Sequence, residues 1–204
     1  MKVVFFFHAD PDLPFASFDY QALAGRLIES AETHGHEVTH LSLNNGPELG
    51  AGRIESDGNP KAILLERFKA YCRVEAPAWL LDVDCVVNKS LPKLDADLVL
   101  TWRPGFRQIF NTGVIGIMTE TGRRMFSEAV SRYKGSESPW GLDQEILLLH
   151  FGNLPPGDYE IHGGRLKVLP CELWNYSPES PDEDMRDKYV IHYKGNRKAF
   201  AEKS

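Results

Sequence analysis

Leu80-Leu81-Asp82-Val83-Asp84-Cys85-Val86-Val87 decides how this 204-residue chain is read. With Ala78 and Trp79 in front, a short and wholly apolar run meets two carboxylates. Such a run fits a buried strand, and a strand apolar on both faces belongs in a sheet covered by helices. If strand geometry continues through the pair, alternation points Asp82 and Asp84 the same way. They then stand at the carboxyl end of the strand, where open α/β sheets hold ligands. Two neighbouring carboxylates repel unless a proton or a cation neutralises them, and a hard divalent metal is the usual solution. The plainer alternative for both residues is a capping or turn role.

Working outward, Lys2 to Phe7 reads as another buried strand and Phe18 to Thr33 as a helix, with Leu23, Leu27, Ile28 and Ala31 on one face. Gly35 stops that helix, and Glu37 to Leu43 reads as a second strand. Strand, helix, strand in this order predicts a parallel α/β sheet. Residues 44–59 are rich in Gly, Asn and Pro, and suit a mobile lid or a loop without a role. Asn59 and Pro60 open a helix whose core face is Ile63, Leu64, Phe68, Tyr71 and Cys72. Further strands are expected over Asp97 to Trp102 and Asn111 to Met118, and helices over Gly122 to Tyr133 and Trp140 to His150. Short strands and loops then lead through Tyr189 to His192 into a basic tail over 193–204. The expected fold is a single α/β domain spanning 1–204, a Rossmann-type mixed sheet flanked by helices.

Spacing alone does not single out Asp82 and Asp84, because the chain holds four Asp-x-Asp triplets. Asp95 and Asp97 precede a strand, at its wrong end. Asp182 and Asp184 lie in a Pro- and Glu-rich loop. Asp10 and Asp12 follow a strand, but Pro11 and Pro14 make that segment a turn. His34, His36 and His40 cluster without a Cys or carboxylate at ligand spacing, with His36 and His40 expected on one strand face, and read as surface residues. His8 ends the first strand at the ligand-bearing edge, where a nucleotide contact competes with a plain polar role. Trp102, Trp140 and Trp174 could stack on sugar rings, although large aromatics are more often core.

A second candidate segment is His192-Tyr193-Lys194-Gly195-Asn196-Arg197-Lys198, at the end of a strand. A histidine there can complete a carboxylate metal shell, and mixed His and Asp ligands suit Mn²⁺ or Mg²⁺ better than Zn²⁺. Lys194, Arg197 and Lys198 around Gly195 supply positive charge and an approachable backbone, as a diphosphate requires. A solvated basic end is the competing reading.

The net charge of −6 disfavours general binding to a nucleic-acid backbone. Three scattered cysteines make neither a disulfide framework nor a thiolate zinc cage, and no apolar stretch reaches the length of a membrane helix. A soluble, cytoplasmic protein is expected.

The apolar strand into Asp82-Val83-Asp84, then Phe110-Asn111-Thr112-Gly113-Val114, Trp140-Gly141-Leu142-Asp143-Gln144 and His192-Tyr193-Lys194-Gly195, occur in one order. That order resembles the GT-A-fold glycosyltransferases, most nearly the retaining enzymes of glycosyltransferase family 8 and related small bacterial members. Leu100-Thr101-Trp102-Arg103 and Trp174-Asn175-Tyr176-Ser177-Pro178 are also similar to the smaller bacterial relatives. The resemblance covers roughly residues 60 to 200. It implies that Asp84 binds the metal, that Asp82 binds the metal or the ribose, and that His192 is a metal ligand. It implies that Lys194, Gly195 and Lys198 lie along the diphosphate, Asn111 near the donor sugar, and Asp143 and Gln144 close to the reacting carbon. The implied activity is metal-dependent transfer of a sugar from a nucleoside-diphosphate sugar, with a UDP-sugar as expected donor and Mn²⁺ or Mg²⁺ as cofactor. Retention of configuration is an implication of the resemblance alone. One departure is Ala199-Phe200 after Lys198, where family 8 often has Pro-Trp.

Two rivals remain at this point. Asp82-Val83-Asp84-Cys85-Val86 also resembles the nucleophile motif of haloacid-dehalogenase-type phosphatases, with Asp82 as nucleophile. A nucleotide-sugar-binding protein of the same fold without turnover is the other.

Overall fold

The computed structural model describes residues 1–7, 19–42, 60–133 and 141–201, without the side chains of 60–63. The expected loop over 44–59, Asp10, Asp12, His8, Trp140 and the Ile63 side chain lie outside the described residues.

Seven strands form one mixed sheet. β1 (Lys2–Phe6), β2 (Glu37–Leu41), β3 (Ala78–Leu81), β5 (Leu98–Trp102), β6 (Phe110–Ile117), β7 (Gly157–Ile161) and β8 (Gly164–Pro170) lie in the order β2-β1-β3-β6-β5-β8-β7. β1 runs parallel to both β2 and β3, and β5 runs parallel to β8. β6 is antiparallel to both of its neighbours, β3 and β5, so its beginning lies beside their ends. A separate ribbon pairs β4 (Cys85–Val87) with β9 (Val190–His192), antiparallel, with Cys85 opposite His192.

The helices are α1 (Tyr20–Thr33), α2 (Pro60–Tyr71), α3 (Glu120–Arg132), α4 (Leu142–Phe151), α5 (Cys171–Trp174) and α6 (Lys198–Ala201). Strand alternation explains why the central strands are apolar throughout. Val4, Phe6, Leu80, Leu98 and Leu100 pack on one face with Phe68, Met125, Phe126 and Ile146 of α2, α3 and α4. Val3, Phe5, Trp79, Leu81 and Val99 pack on the other with Ala24, Leu27 and Ala31 of α1. Each Val, Leu, Ile, Phe or Met side chain so buried stabilises the fold by roughly 1.5–3 kcal/mol. Asp19 caps α1, accepting from the Gln21 and Ala22 N–H groups at 3.0 and 2.9 Å.

The ends of β3 and β5 and the start of β6 therefore share one edge. The edge is met by the N-terminus of α4 and by the end of β9. Tyr71, whose hydroxyl donates to Leu81 O at 3.1 Å, ties the last turn of α2 to the same place. No helix among the described residues is long and apolar enough to cross a membrane.

Candidate functional site

β3 does not continue through the paired carboxylates. It stops at Leu81, and residues 82–84 form a turn closed by the Cys85 N–H on Asp82 O at 3.1 Å. Asp82 and Asp84 still face one point, but a turn brings them there instead of the expected alternation. That point is His192: its Nε2 lies 3.0 Å from Asp84 Oδ1 and 3.5 Å from Asp82 Oδ2.

A buried polar network fixes how the imidazole is presented. The Asn175 amide nitrogen donates to Thr101 Oγ1 at 2.8 Å and to the carbonyl oxygen of Asn111 at 3.2 Å. A carbonyl can only accept, so this sets the orientation of the amide and turns its Oδ1 toward His192 Nδ1 at 2.9 Å. Nδ1 must then carry the hydrogen. Nε2 is left facing the carboxylates, where either a proton or a cation completes it. The strand opposite is equally specific: a Cβ on Gly113 would fall under 3.0 Å from His192 Cε1 and Nδ1. Glycine at the third position of Asn111-Thr112-Gly113 makes room for the ring.

Charge surrounds the cluster on two sides. Lys198 Nζ lies 2.7 Å from Asp84 Oδ2 and sits over the Tyr20 ring. Burial opposes ionisation of Asp84, yet the adjacent His192 and Lys198 hold its carboxyl well below the usual range. On the other side Arg67, 8% exposed, ion-pairs with Asp82 and also reaches Asp143 Oδ2 at 2.6 Å. Asp143 in turn accepts from the Thr112 hydroxyl. Burial pushes the Asp82 carboxyl upward, against the pull of Arg67 and His192. Lys194 is half-buried and has no ion-pair partner among the described residues; burial, with Arg103 nearby, lowers its pKa.

The donor set fits a hard divalent cation. The two carboxylates offer the oxygens that Mn²⁺ or Mg²⁺ takes, and the imidazole, with Nδ1 already committed to Asn175, can add Nε2 as a nitrogen donor. Cys85 is also close, but burial pushes its thiol up, with Asp84 and Asp82 adding to the effect, and its S–H donates to Gly113 O at 3.5 Å.

Three solved structures share the fold of this chain. A glycosyltransferase involved in the glycosylation of the major capsid of PBCV-1 superposes with a TM-score of 0.60 at 14% identity, covering 99% of this chain and 97% of that one. The galactosyltransferase LgtC, in complex with donor and acceptor sugar analogs, gives 0.53 at 19% identity, covering 99% and 94%. An active-site mutant of LgtC gives 0.52 at 16% identity over the same shares. The chain has the GT-A glycosyltransferase fold. No protein-family profile and no curated protein matches the sequence.

Within this GT-A-like frame, the expected residues Asp82, Asp84, Asn111, Asp143, His192 and Lys198 gather at one edge of the sheet. Asn111 is buried, and its Oδ1 accepts from the Gly113 N–H at 3.2 Å. Gln144 stands on the first turn of α4, its Oε1 held by Arg103 at 2.6 Å. Gly195 has φ +55° and an exposed backbone, in a 3₁₀ turn Gly195–Arg197 that leads into α6. Lys198 and Ala201 are buried, so this segment packs against the site.

Arg67 carries no role in the sequence reading. Its signal is positional: at i+3 from Leu64 and one residue before Phe68, it puts a guanidinium on the apolar face of α2. Asn175 and Thr101 lie in quoted motifs, but their bonds to His192 and Asn111 span too much chain to be read locally.

Elsewhere two expectations change. His36 is buried and not a surface residue: it precedes β2, and its Nε2 accepts from the Leu91 N–H at 3.0 Å. It therefore shares no strand face with His40, which is exposed and stacks on Phe5 at 4.9 Å. Trp174 lies between Trp79 and Tyr189, at 5.8 and 3.9 Å, as a core residue. Asp97 ties strands together, accepting from Thr119 and from the Arg165 N–H at 2.6 and 2.8 Å.

Proposed function

We propose that the chain is a metal-dependent glycosyltransferase that takes its sugar from a nucleoside-diphosphate sugar, with a UDP-sugar as donor. The observation that carries this reading is the convergence of Asp82, Asp84 and His192 on one point, with the free face of His192 fixed by Asn175. The fold shared with LgtC, a galactosyltransferase solved with donor and acceptor sugar analogs, supports the same assignment.

Asp84, His192 and Asp82 would hold Mn²⁺ or Mg²⁺. When bound, the ion supplies a Lewis acid for the oxygens of a departing diphosphate. Lys194, half-buried and without an ion-pair partner among the described residues, adds positive charge for those same oxygens. The Gly195 backbone allows close approach of a phosphate. Lys198 stays on Asp84 and keeps it ionised for metal binding. Arg67 and Thr112 lock Asp143 in one orientation. A carboxylate so fixed can orient the sugar and offset the positive charge that develops at its reacting carbon. Gln144, held by Arg103, borders the same space. Retention of configuration belongs to this reading through the family resemblance, and a cytoplasmic location through the three scattered cysteines, which suit a reducing compartment. The acceptor is a saccharide, a lipid-linked glycan or a protein side chain.

The phosphatase alternative gains no support. Its nucleophile must be free to attack, whereas Asp82 is ion-paired with Arg67 and follows two other strands of the sheet. Binding without turnover is separated by assay.

Calorimetric titration of UDP with Mn²⁺, and again with EDTA, tests the proposal. Metal-dependent binding is expected, and Asp84→Ala and His192→Ala should each abolish it. Full UDP binding and UDP-sugar hydrolysis in either variant would remove those residues from the metal site.

A further inference from the structure

Cys85 opens β4 directly opposite His192 in β9, so the two side chains share a face of the small ribbon. Asp84 is its neighbour in sequence. One Asp84 oxygen, the Cys85 sulfur and a ring nitrogen of His192 all lie within 4.8 Å of one another. The thiol is 1% exposed, and its S–H, a weak donor, reaches Gly113 O at 3.5 Å. That oxygen already accepts the Asp82 N–H at 3.0 Å, so little is lost when the sulfur turns away. Donors around a tetrahedral zinc ion sit roughly 3.3–3.8 Å from one another, so closing the group requires shifts of about 1 Å.

We propose that Asp84, Cys85 and His192 form a second metal-binding mode of this edge, selective for thiophilic divalent ions such as Zn²⁺, which shuts out the hard cation of transfer. Hard ions ignore sulfur and take oxygen and imidazole; zinc takes all three donor types. Asp82, whose Oδ2 is 3.5 Å from His192 Nε2, is at hand as a fourth donor. On binding, the S–H bond breaks, its electron pair goes to the ion and the proton leaves to solvent, with no change in oxidation state. The two modes compete because both use Asp84 and His192. The inhibitory consequence rests on the transferase reading, whereas the binding itself does not.

Co²⁺ is the probe for the thiolate bond. Titrated into the full chain without nucleotide, it should develop a sulfur-to-cobalt charge-transfer band with tetrahedral visible bands. Cys85→Ser and Cys85→Ala should both lose that band while keeping the wild-type far-ultraviolet circular-dichroism spectrum at 25 °C. In the second arm, Zn²⁺ is titrated against UDP binding at fixed Mn²⁺. The Cys85→Ser variant should need at least about tenfold more Zn²⁺ for the same displacement. No band in the wild type, or a band that survives both substitutions, overturns the proposal. A Cys85-dependent band in a protein that binds no UDP with Mn²⁺ would uphold the thiolate site and sink the transferase reading instead.

Discussion

Gly113→Ala is the sharpest probe of how the edge is assembled. The backbone there needs no glycine, since Gly113 is not among the positive-φ residues. The cost comes from one contact: the new methyl would fall under 3.0 Å from two atoms of the His192 ring and 3.3 Å from Asp82 Oδ2. Overpacking of this kind costs roughly 1–3 kcal/mol. Pushing the ring aside also strains or breaks the bond from Nδ1 to Asn175 Oδ1, adding about 1 kcal/mol. At ~2–4 °C per kcal/mol for a chain of this size, the melting temperature should fall by about 10 °C. A thermal melt gives that number, and calorimetry should show Mn²⁺-dependent UDP binding lost with it. The decisive comparison is the double variant Gly113→Ala with His192→Ala. Without the ring the methyl has space, so adding Gly113→Ala to His192→Ala should cost under ~1 kcal/mol. An equal cost in both backgrounds would refute the reasoning. Gly25→Ala in α1, where nothing lies within 4 Å of the added methyl, is the control and should stabilise by roughly 1 kcal/mol.

Arg67→Met removes the shared partner of Asp82 and Asp143, and should destabilise by about 3–5 kcal/mol at neutral pH. Burial already raises the Asp82 carboxyl, and without the guanidinium it rises further, so urea melts should find the deficit largest near pH 7 and shrinking as acid protonates it. Asp143→Asn should keep metal-dependent UDP binding but lose most transfer or hydrolysis of a UDP-sugar, and an unchanged rate would take that residue out of the site. His150 stacks on His162 at 4.2 Å, and burial, then His162 and Arg132, lower its pKa to about 4. Its neutral form is the native one, so stability is complete above the unfolded value of 6.5 and falls as pH drops toward 4. Solvent screening of this half-buried ring limits the loss to about 1 kcal/mol at pH 5, and His150→Leu should flatten that part of the urea-melt profile.

The central strands were legible because each is apolar on both faces, and the two core layers bear that out residue by residue. Asp82 and Asp84 stood out for the company they keep, though what unites them is a turn that alternation does not describe. His192 was legible as a strand-end histidine, but its orientation depends on Asn175, Thr101 and Asn111, which are distant in sequence and meet only after the sheet forms. Arg67 escaped because a helix face is read by its apolar positions, and one guanidinium among them looks like noise. His36 was misjudged for a similar reason: a ring nitrogen accepting a backbone N–H from Leu91 leaves no mark in local spacing.

The pairing of β4 with β9 has a consequence for the order in which this protein becomes competent. All seven strands of the main sheet have been supplied by Pro170, yet the partner of Asp84 arrives only with His192 and Lys198. A growing chain can thus complete its scaffold while its carboxylates still lack their histidine and lysine. The ribbon then acts as a latch thrown last: the cluster of Asp84, His192 and Lys198 is complete only when the segment carrying His192 has been made and has found its place.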